Sequence, residues 1–275
     1  MAVPLKKLYV DAKYKVEKSN DNSNFTIGLH ENITFGDNAI MYIDDVSIPH
    51  SFWTIEEGYN DKIYMRLTDG CGIITDNIII LTPGNYHATS YATELSDSIN
   101  HHFLNPAHSC IYSDSTLSVV ISFSSSSHQI FTDDELITGL SPAWSGQSID
   151  TSNLTSNNEI INNRITSTLG AIATPVSYLL VLNQIRNIYI SSNDLSNFST
   201  RGARGERDII KKVSVNSPYG TMILDTVHST SDNIDVSNIT LSKIQFSLKD
   251  VDGHYIPSHG SNCAFTCVFA IMESV

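Results

Sequence analysis

The stretch IIILTPGNYHATSY, residues 78–91, joins a strand, a turn and the start of a helix. Its β-branched run stops at Pro83-Gly84, where proline presets φ and glycine tolerates positive φ. Beyond the turn an apolar residue recurs every four positions, at Tyr91, Leu95, Ile99 and Phe103. This stripe predicts an amphipathic helix at about 89–103, with Thr89 or Ser90 as its N-cap. We therefore interpret Pro83, Gly84 and Tyr86 as structural turn residues.

Short apolar segments surround this helix on both sides, and many of them alternate with period two. Alternation of this kind is typical of half-buried β-strands. The segments are FTIGL (25–29), AIMYIDDVSIP (39–49), KIYMRL (62–67), GIITDNIIIL (72–81), SCIYS (109–113), TLSVVISF (116–123), HQIFT (128–132), VSYLLVLNQIRNIYISSN (176–193), IIKKVSVN (209–216), TMILDTV (221–227), ITLSKIQFSLKD (239–250) and CAFTCVFAIM (263–272). Repeated short strands with Gly, Pro or Asn at their corners predict an all-β protein of jelly-roll type β-sandwiches with one short helix.

A polar stretch of low periodicity at 141–170 suggests a connection between two halves of the chain. We accordingly predict two sandwiches in tandem. The predicted division is an extended basic N-terminal arm (1–20), a first jelly-roll β-sandwich (21–145), a linker (146–172) and a second β-sandwich (173–275). One jelly roll with a large insertion is the alternative.

Composition excludes several classes of protein. The net charge of −13 argues against nucleic-acid binding as the main role. No apolar run approaches the roughly 18 residues of a membrane span, and the N-terminus does not have the pattern of a secretory signal. The four cysteines form no CxxC pair, so we expect free thiols in a reducing compartment and no zinc site: Cys71, Cys110, Cys263 and Cys267.

Two short basic segments stand out from the acidic chain. Lys6, Lys7, Lys13 and Lys15 lie near the N-terminus, and Arg201, Arg204 and Arg207 lie in the glycine-containing stretch GARGERD, residues 202–208, and just before it. We predict that both segments contact partners, either an acidic neighbouring subunit or, only through these segments, a nucleic acid. The alternative is that both are solvated surface segments without a partner. We also expect the N-terminal arm to be dispensable for folding.

No residue set carries the pattern of a catalytic, metal or cofactor site. His101, His102, His108 and Cys110 cluster near the helix end, but adjacent helical histidines point in different directions. Asp250-Val251-Asp252-Gly253 resembles the start of a calcium loop without its later ligands, so Asp252 and Gly253 are interpreted as a hairpin turn. Asp44-Asp45 and Glu56-Glu57 are interpreted as solvated edges. We expect neither enzymatic activity nor a cofactor.

Three motifs in this order resemble those of a known family. They are the corner Val46-Ser47-Ile48-Pro49-His50-Ser51, the turn Pro83-Gly84-Asn85-Tyr86 and the late hairpin from Leu248 to Ile256. Their order resembles that of the minor capsid, or penton-type, jelly-roll proteins of polinton-like viruses, virophages and related double-stranded DNA viruses. The resemblance does not extend to residues 141–170.

The resemblance implies a non-enzymatic capsid component of an icosahedral virus, made in the host cytoplasm and located in the virion. Its partners would be copies of itself, as a pentamer or trimer, and major capsid protein. A carbohydrate- or receptor-binding β-sandwich is the alternative, and it requires exposed aromatic residues, for which Trp53, Tyr59 and Trp144 are the candidates. A β-sandwich hydrolase would require two carboxylates meeting across strands.

Overall fold

The computed structural model describes residues 2–16, 22–104, 108–123, 126–131, 136, 176–195, 200–227 and 232–272. These residues are mostly β-strand, in four sheets, with one α-helix and a short 3-10 helix at Ala12–Tyr14. The predicted all-β class with a single helix is therefore confirmed. No helix within these ranges is long and apolar enough to cross a bilayer.

Apart from β1 and β13, the strands and the helix overlap the predicted segments. In chain order they are β1 (Ala2–Asp11), β2 (Asn24–Thr34), β3 (Ala39–Pro49), β4 (Lys62–Asp69), β5 (Ile74–Ile80), α1 (Ala88–Phe103), β6 (Ser109–Ser113), β7 (Ser118–Ser122), β8 (Ser126–Ile130), β9 (Val176–Leu179), β10 (Asn187–Ser191), β11 (Ile209–Ser214), β12 (Met222–Asp225), β13 (Ile234–Asp235), β14 (Thr240–Lys249) and β15 (Ala264–Met272).

The chain forms two compact units that do not follow the predicted linear division. Unit 1 contains residues 1–52 and 185–275, and unit 2 contains residues 53–184. The two ends of the chain fold together because β15 pairs with both β1 and β3. Unit 2 is thus a large insertion between the two parts of unit 1, and the two units do not follow each other in tandem along the chain. The predicted linker at 146–172 lies outside the described residues.

Unit 1 contains two antiparallel sheets. One has the strand order β1-β15-β3-β12, with β13 also paired to β3, and the other has the order β11-β10-β14-β2. Phe246 on β14 and Phe265 on β15 come from different sheets, and their ring centroids lie 4.9 Å apart in an edge-to-face arrangement. Phe25 on β2 lies 6.5 Å from Phe265. These contacts place the hydrophobic core of unit 1 between its two sheets, as in a β-sandwich.

The predicted N-terminal arm is in fact a strand of this sandwich. β1 pairs along its length with β15, and Val10 and Ala12 are buried in the core. The segment is extended, as expected, but it is paired within the sheet, whereas the sequence predicted an arm that is dispensable for folding. Leu8 and Val10 share the face that packs against the core, whereas Tyr9 between them points to the other face and is exposed.

Unit 2 combines two three-stranded sheets, β5-β4-β8 and β6-β7-β9, with α1. The helix buries the predicted stripe, including Tyr91, Leu95 and Ile99, in the core of the unit. Its N-cap is His87, not Thr89 or Ser90. The His87 ring nitrogen Nδ1 accepts a hydrogen bond from the Ser90 backbone N–H at 3.2 Å, and the Ser90 hydroxyl accepts one from the His87 N–H at 3.1 Å.

Removing residues 1–11 should destabilise unit 1, because it uncovers one edge of β15 and removes Val10 from the core. We expect a lower melting temperature, or an insoluble product, when unfolding is followed by circular dichroism. The control is Lys6→Ala, which changes an exposed side chain and should unfold like the wild type. A truncated chain with the wild-type melting temperature would show that β1 contributes nothing to the fold.

Leu95→Ala should destabilise unit 2 by about 2–5 kcal/mol, because it leaves a cavity beneath the helix. Thr93→Ala on the exposed face of the same helix should change stability by less than about 0.5 kcal/mol. Chemical denaturation of both variants measures the difference. Equal stabilities would mean that α1 is not packed against the core of unit 2.

Candidate functional site

The Pro83-Gly84-Asn85-Tyr86 corner is held together by its own hydrogen bonds. Gly84 and Ile55 exchange two backbone hydrogen bonds of 2.9 and 3.0 Å. The Tyr86 hydroxyl donates to the Thr82 carbonyl at 2.8 Å, and the Tyr86 ring lies against Gly84, where an added Cβ would sit 3.4 Å from it. Gly84 itself does not take a positive φ. A Cβ at this distance would make an ordinary van der Waals contact with the ring, so the corner requires glycine at position 84 neither for its φ nor for space.

The corner that follows β3 is likewise bound to neighbouring backbone. The His50 ring nitrogen Nδ1 lies 2.8 Å from the Ser217 carbonyl, and the His50 backbone N–H donates to the Thr221 carbonyl at 2.9 Å. The Ser51 hydroxyl donates to the Ser258 carbonyl at 2.8 Å. The polar side chains of this motif therefore fix loops of unit 1 in place.

The segment Asp250–Gly253 forms a turn stabilised by the Asp250 carboxylate. This carboxylate accepts hydrogen bonds from the backbone N–H groups of Asp252 and His254, both at 2.9 Å. Gly253 takes φ +83°, a conformation that favours glycine. The carboxylate serves the turn, as the hairpin interpretation of Asp252 and Gly253 implies.

The three arginines of the 201–207 loop are all exposed. The guanidinium of Arg204 donates to the Asp252 carbonyl, so this arginine connects the loop to the 250–253 turn within unit 1. The loop reverses at Gly205, which takes φ +91°. Arg201 and Arg207 extend from a surface loop, a position from which they can reach a partner.

Lys211, which follows this loop on β11, is buried. Its ammonium group donates to the backbone carbonyls of Val227 at 2.7 Å and Ile43 at 3.3 Å, and it lies 3.8 Å from the Asp225 carboxylate. It therefore links β11 of one sheet to the other sheet of unit 1. Nothing in the pattern IIKK distinguishes it from its exposed neighbour Lys212.

Large apolar side chains are exposed on strands at the edges of three sheets. They are Tyr9 on β1 at 76%, Ile74 and Ile80 on β5 at 55% and 53%, Ile111 on β6 at 64%, and Leu224 on β12 at 57%. Each of these strands has a described partner on one side only. An exposed apolar edge is a site at which another chain can add. Apart from β1, these strands were recognisable in the sequence, but their edge positions were not, because these depend on pairing between distant segments.

The N-terminal lysines lie beside one such edge. Lys6, Lys7 and Lys13 are exposed, and Lys15 is half-buried. The Lys7 ammonium lies 3.3 Å from the Asp44 carboxylate, an exposed ion pair that raises the pKa of Lys7. Asp44 thus stabilises the sheet surface instead of pairing with its neighbour in sequence for catalysis.

Glu56 contradicts the expectation of a solvated edge. It is buried, and its carboxylate accepts a hydrogen bond from the Trp53 backbone N–H at 2.5 Å. Asn60 accepts a hydrogen bond from the Glu56 N–H at 2.7 Å and donates to the Thr54 carbonyl at 2.9 Å. These bonds fix the segment that leads into β4, so Glu56 and Glu57 do not form a solvated pair.

Of the three aromatic residues predicted for glycan binding, the two that the structure describes are not prominently exposed. Trp53 and Tyr59 are only partly exposed, and Trp144 lies outside the described residues. More exposed tyrosines lie elsewhere on unit 1, at positions that no pattern in the sequence distinguishes: Tyr9, Tyr14, Tyr219 and Tyr255.

The histidines near the helix end lie in different environments. His101 is exposed, whereas His108 is buried against the Phe123 ring at 4.4 Å. Neither ring nitrogen of His108 has a hydrogen-bond partner among the described residues. His128 also contacts this aromatic cluster, with its ring 4.5 Å from Phe123. Over the described ranges no three metal-ligating side chains converge.

Burial lowers the pKa of both buried histidines. Burial, assisted by the nearby His108, brings the pKa of His128 down to about 4, and burial also lowers the pKa of His108. Burial raises the pKa of the Cys110 thiol in the same unit to about 12, so this cysteine stays protonated at neutral pH. The cluster is thus built from neutral groups.

Comparisons with known proteins find similarity to solved structures. No protein-family model matches the chain, and no curated protein matches it. Among solved structures, the crystal structure of mavirus penton protein aligns with a TM-score of 0.48 at 9% sequence identity, over 97% of this chain and 100% of that one.

The buried histidines predict that unit 2 loses stability in mild acid. Between pH 6.5, the pKa of histidine in the unfolded chain, and about pH 4, the lowered pKa of His128 in the folded chain, the unfolded chain binds protons that the folded chain does not. His128 should then cost up to about 1.4 kcal/mol per pH unit in that window, and His108, whose pKa burial also lowers, should add to the loss in the same direction. Denaturation of the wild type at several pH values measures this slope.

The double variant His108→Phe/His128→Phe should show a shallower decline in stability between pH 6.5 and about 4, since phenylalanine keeps the ring contacts without titrating. His101→Phe, which changes an exposed histidine, should keep the wild-type slope. An unchanged slope in the double variant would rule out these two groups as the cause.

Proposed function

We propose that this chain is a structural capsid protein, of minor capsid or penton type, of an icosahedral double-stranded DNA virus. It acts by self-association, as a pentamer or trimer, and by docking against major capsid protein. It performs no catalysis and needs no cofactor. It is located in the virion.

The observation that carries the proposal is the set of exposed apolar side chains on edge strands. Tyr9, Ile74, Ile111 and Leu224 lie on strands that belong to both units and that have a described partner on one side only. Covering such residues with another subunit removes apolar surface from water and satisfies open backbone groups. A protein that works by forming contacts requires surfaces of this kind.

The chemistry of the remaining polar groups supports the same proposal. The carboxylates of Asp250 and Glu56 and the ring of His50 are engaged with backbone groups nearby. Residues bound in this way set the shape of loops and do not act on a substrate. The three motifs that resemble those of minor capsid and penton-type proteins all lie at hydrogen-bonded corners of this kind.

The exposed arginines Arg201 and Arg207 give the docking surface a positive charge, which suits an acidic partner. Arg204 also holds the neighbouring turn. We therefore assign docking to the exposed loop that carries all three arginines, and Arg204 has this structural role as well.

Self-association is tested by native mass spectrometry of the purified chain over a wide range of concentration. We expect a closed oligomer, a pentamer or trimer, that dissociates on dilution. A chain that stays monomeric at every concentration would contradict the proposal.

Docking is tested with the double variant Arg201→Glu/Arg207→Glu. It should lose binding to major capsid protein in a pull-down assay and keep the wild-type melting temperature, because both residues lie on an exposed loop. Lys212→Glu, an exposed change on the adjacent strand, should bind normally. Full binding by the double variant would remove the arginine loop from the docking surface.

A further inference from the structure

The two edges of the β1-β15-β3-β12 sheet differ in charge. At one edge, β1 and the short 3-10 helix after it carry the exposed side chains of Lys6, Lys7 and Lys13 and the half-buried Asp11, a positive net charge, and we name this the basic edge. At the other edge lie β12 and β13. These two strands carry Asp225 and Asp235, and we name this the acidic edge.

Each edge also presents an apolar side chain on the same face of the sheet. Tyr9 on the basic edge lies opposite Thr266 of β15, on the face that points away from the sandwich core. Leu224 on the acidic edge follows Ile223, whose side chain points into the core, so Leu224 points away from it. Met222 accompanies Leu224 on this face.

The ion pairs within the chain do not cancel the difference in charge between the two edges. Lys7 is partly neutralised by Asp44 at 3.3 Å, and Asp225 by Lys211 at 3.8 Å. Lys6 and Lys13 on one edge and Asp235 on the other are exposed. Two basic edges brought together would repel, whereas a basic and an acidic edge attract.

We propose that the basic edge of one copy of this chain docks on the acidic edge of the next copy, in a head-to-tail contact. This contact rests on the self-association proposed above and names its surfaces. Each copy then uses both edges, and a repeated contact of this type closes into a ring when the rotation between copies allows it. A two-fold contact between identical edges would instead oppose lysine to lysine or aspartate to aspartate.

Chemical cross-linking distinguishes these arrangements. Tyr9→Cys and Leu224→Cys are made as two separate proteins, each in a Cys71→Ser background that removes the exposed native thiol. A short bis-maleimide reagent is added to each protein alone and to their mixture. We expect covalent dimers in the mixture only, because the contact always joins one edge of each type.

A mixture of Tyr9→Cys with Leu117→Cys serves as the matched control, since Leu117 is equally exposed but lies in unit 2. It should give no covalent dimers. Cross-linking of Tyr9→Cys or Leu224→Cys to itself would overturn the head-to-tail contact in favour of a two-fold one. A mixture that fails to cross-link although the wild type assembles would overturn this contact alone.

Charge reversal provides an independent measurement. Lys6→Glu/Lys13→Glu should raise the concentration at half-assembly roughly tenfold or more, and Leu224→Lys should do the same by placing a positive charge at the acidic edge. Combining all three changes should recover part of the loss, because the new lysine at position 224 of one copy then faces the two new glutamates at positions 6 and 13 of the next. Lys212→Glu should have no effect.

The outcomes separate the two proposals. A wild-type chain that never assembles contradicts the proposed function and this contact together. Assembly that is insensitive to the charge reversals contradicts only the contact between the basic and acidic edges.

Discussion

The pairing of β15 with β1 and β3 is the interaction on which unit 1 depends. From Phe265 to Ala270 every side chain of β15 is buried, on both faces of the sheet. A strand of this kind can exist only where neighbours on both sides satisfy its backbone groups. One neighbour is the first strand of the chain and the other is the third, so both ends of the sequence are required before this sandwich can form.

Because the pairing of β15 joins segments from both ends of the chain, unit 1 can accommodate an insertion as large as unit 2 between them. Residues 53–184 have a core of their own, centred on the helix stripe and on Ile63, Met65 and Ile121. The pairing within unit 1 joins segments that are far apart in sequence, and the entropic cost of closing a loop between them grows only slowly with its length. The polar network around Asn60 orders the segment where unit 2 begins.

Local structure was predictable from the sequence, and long-range structure was not. The predicted segment 39–49 is β3 with the same bounds, and the apolar stripe that repeats every four positions lies on α1. Both were predictable because a period of two or four in apolar residues directly indicates which side chains are buried. The N-cap at His87 was missed because histidine is not among the preferred capping residues. The stretch 176–193 holds two strands, β9 in unit 2 and β10 in unit 1, because the chain passes from one unit to the other between them.

The candidate surfaces were only partly accessible to sequence reasoning. The sequence showed that lysines and arginines are concentrated in two basic segments, but it did not show what surrounds them in the fold. The N-terminal segment is the strand β1, and Arg204 holds a turn. Glu56 and Lys211 have the sequence context of surface residues and are buried, because their partners are backbone groups that no sequence pattern reveals. Edge position, which makes Tyr9 and Leu224 available for contacts, follows from strand order alone.

Hydrogen–deuterium exchange of the isolated chain tests the central role of β15 most directly. We predict that backbone amides of residues 265–270 exchange among the slowest in unit 1, at the rate of its global unfolding, together with those of β3. Exchange of β15 as fast as that of the exposed 201–207 loop would contradict this role, since the strand would then not hold the two ends of the chain together.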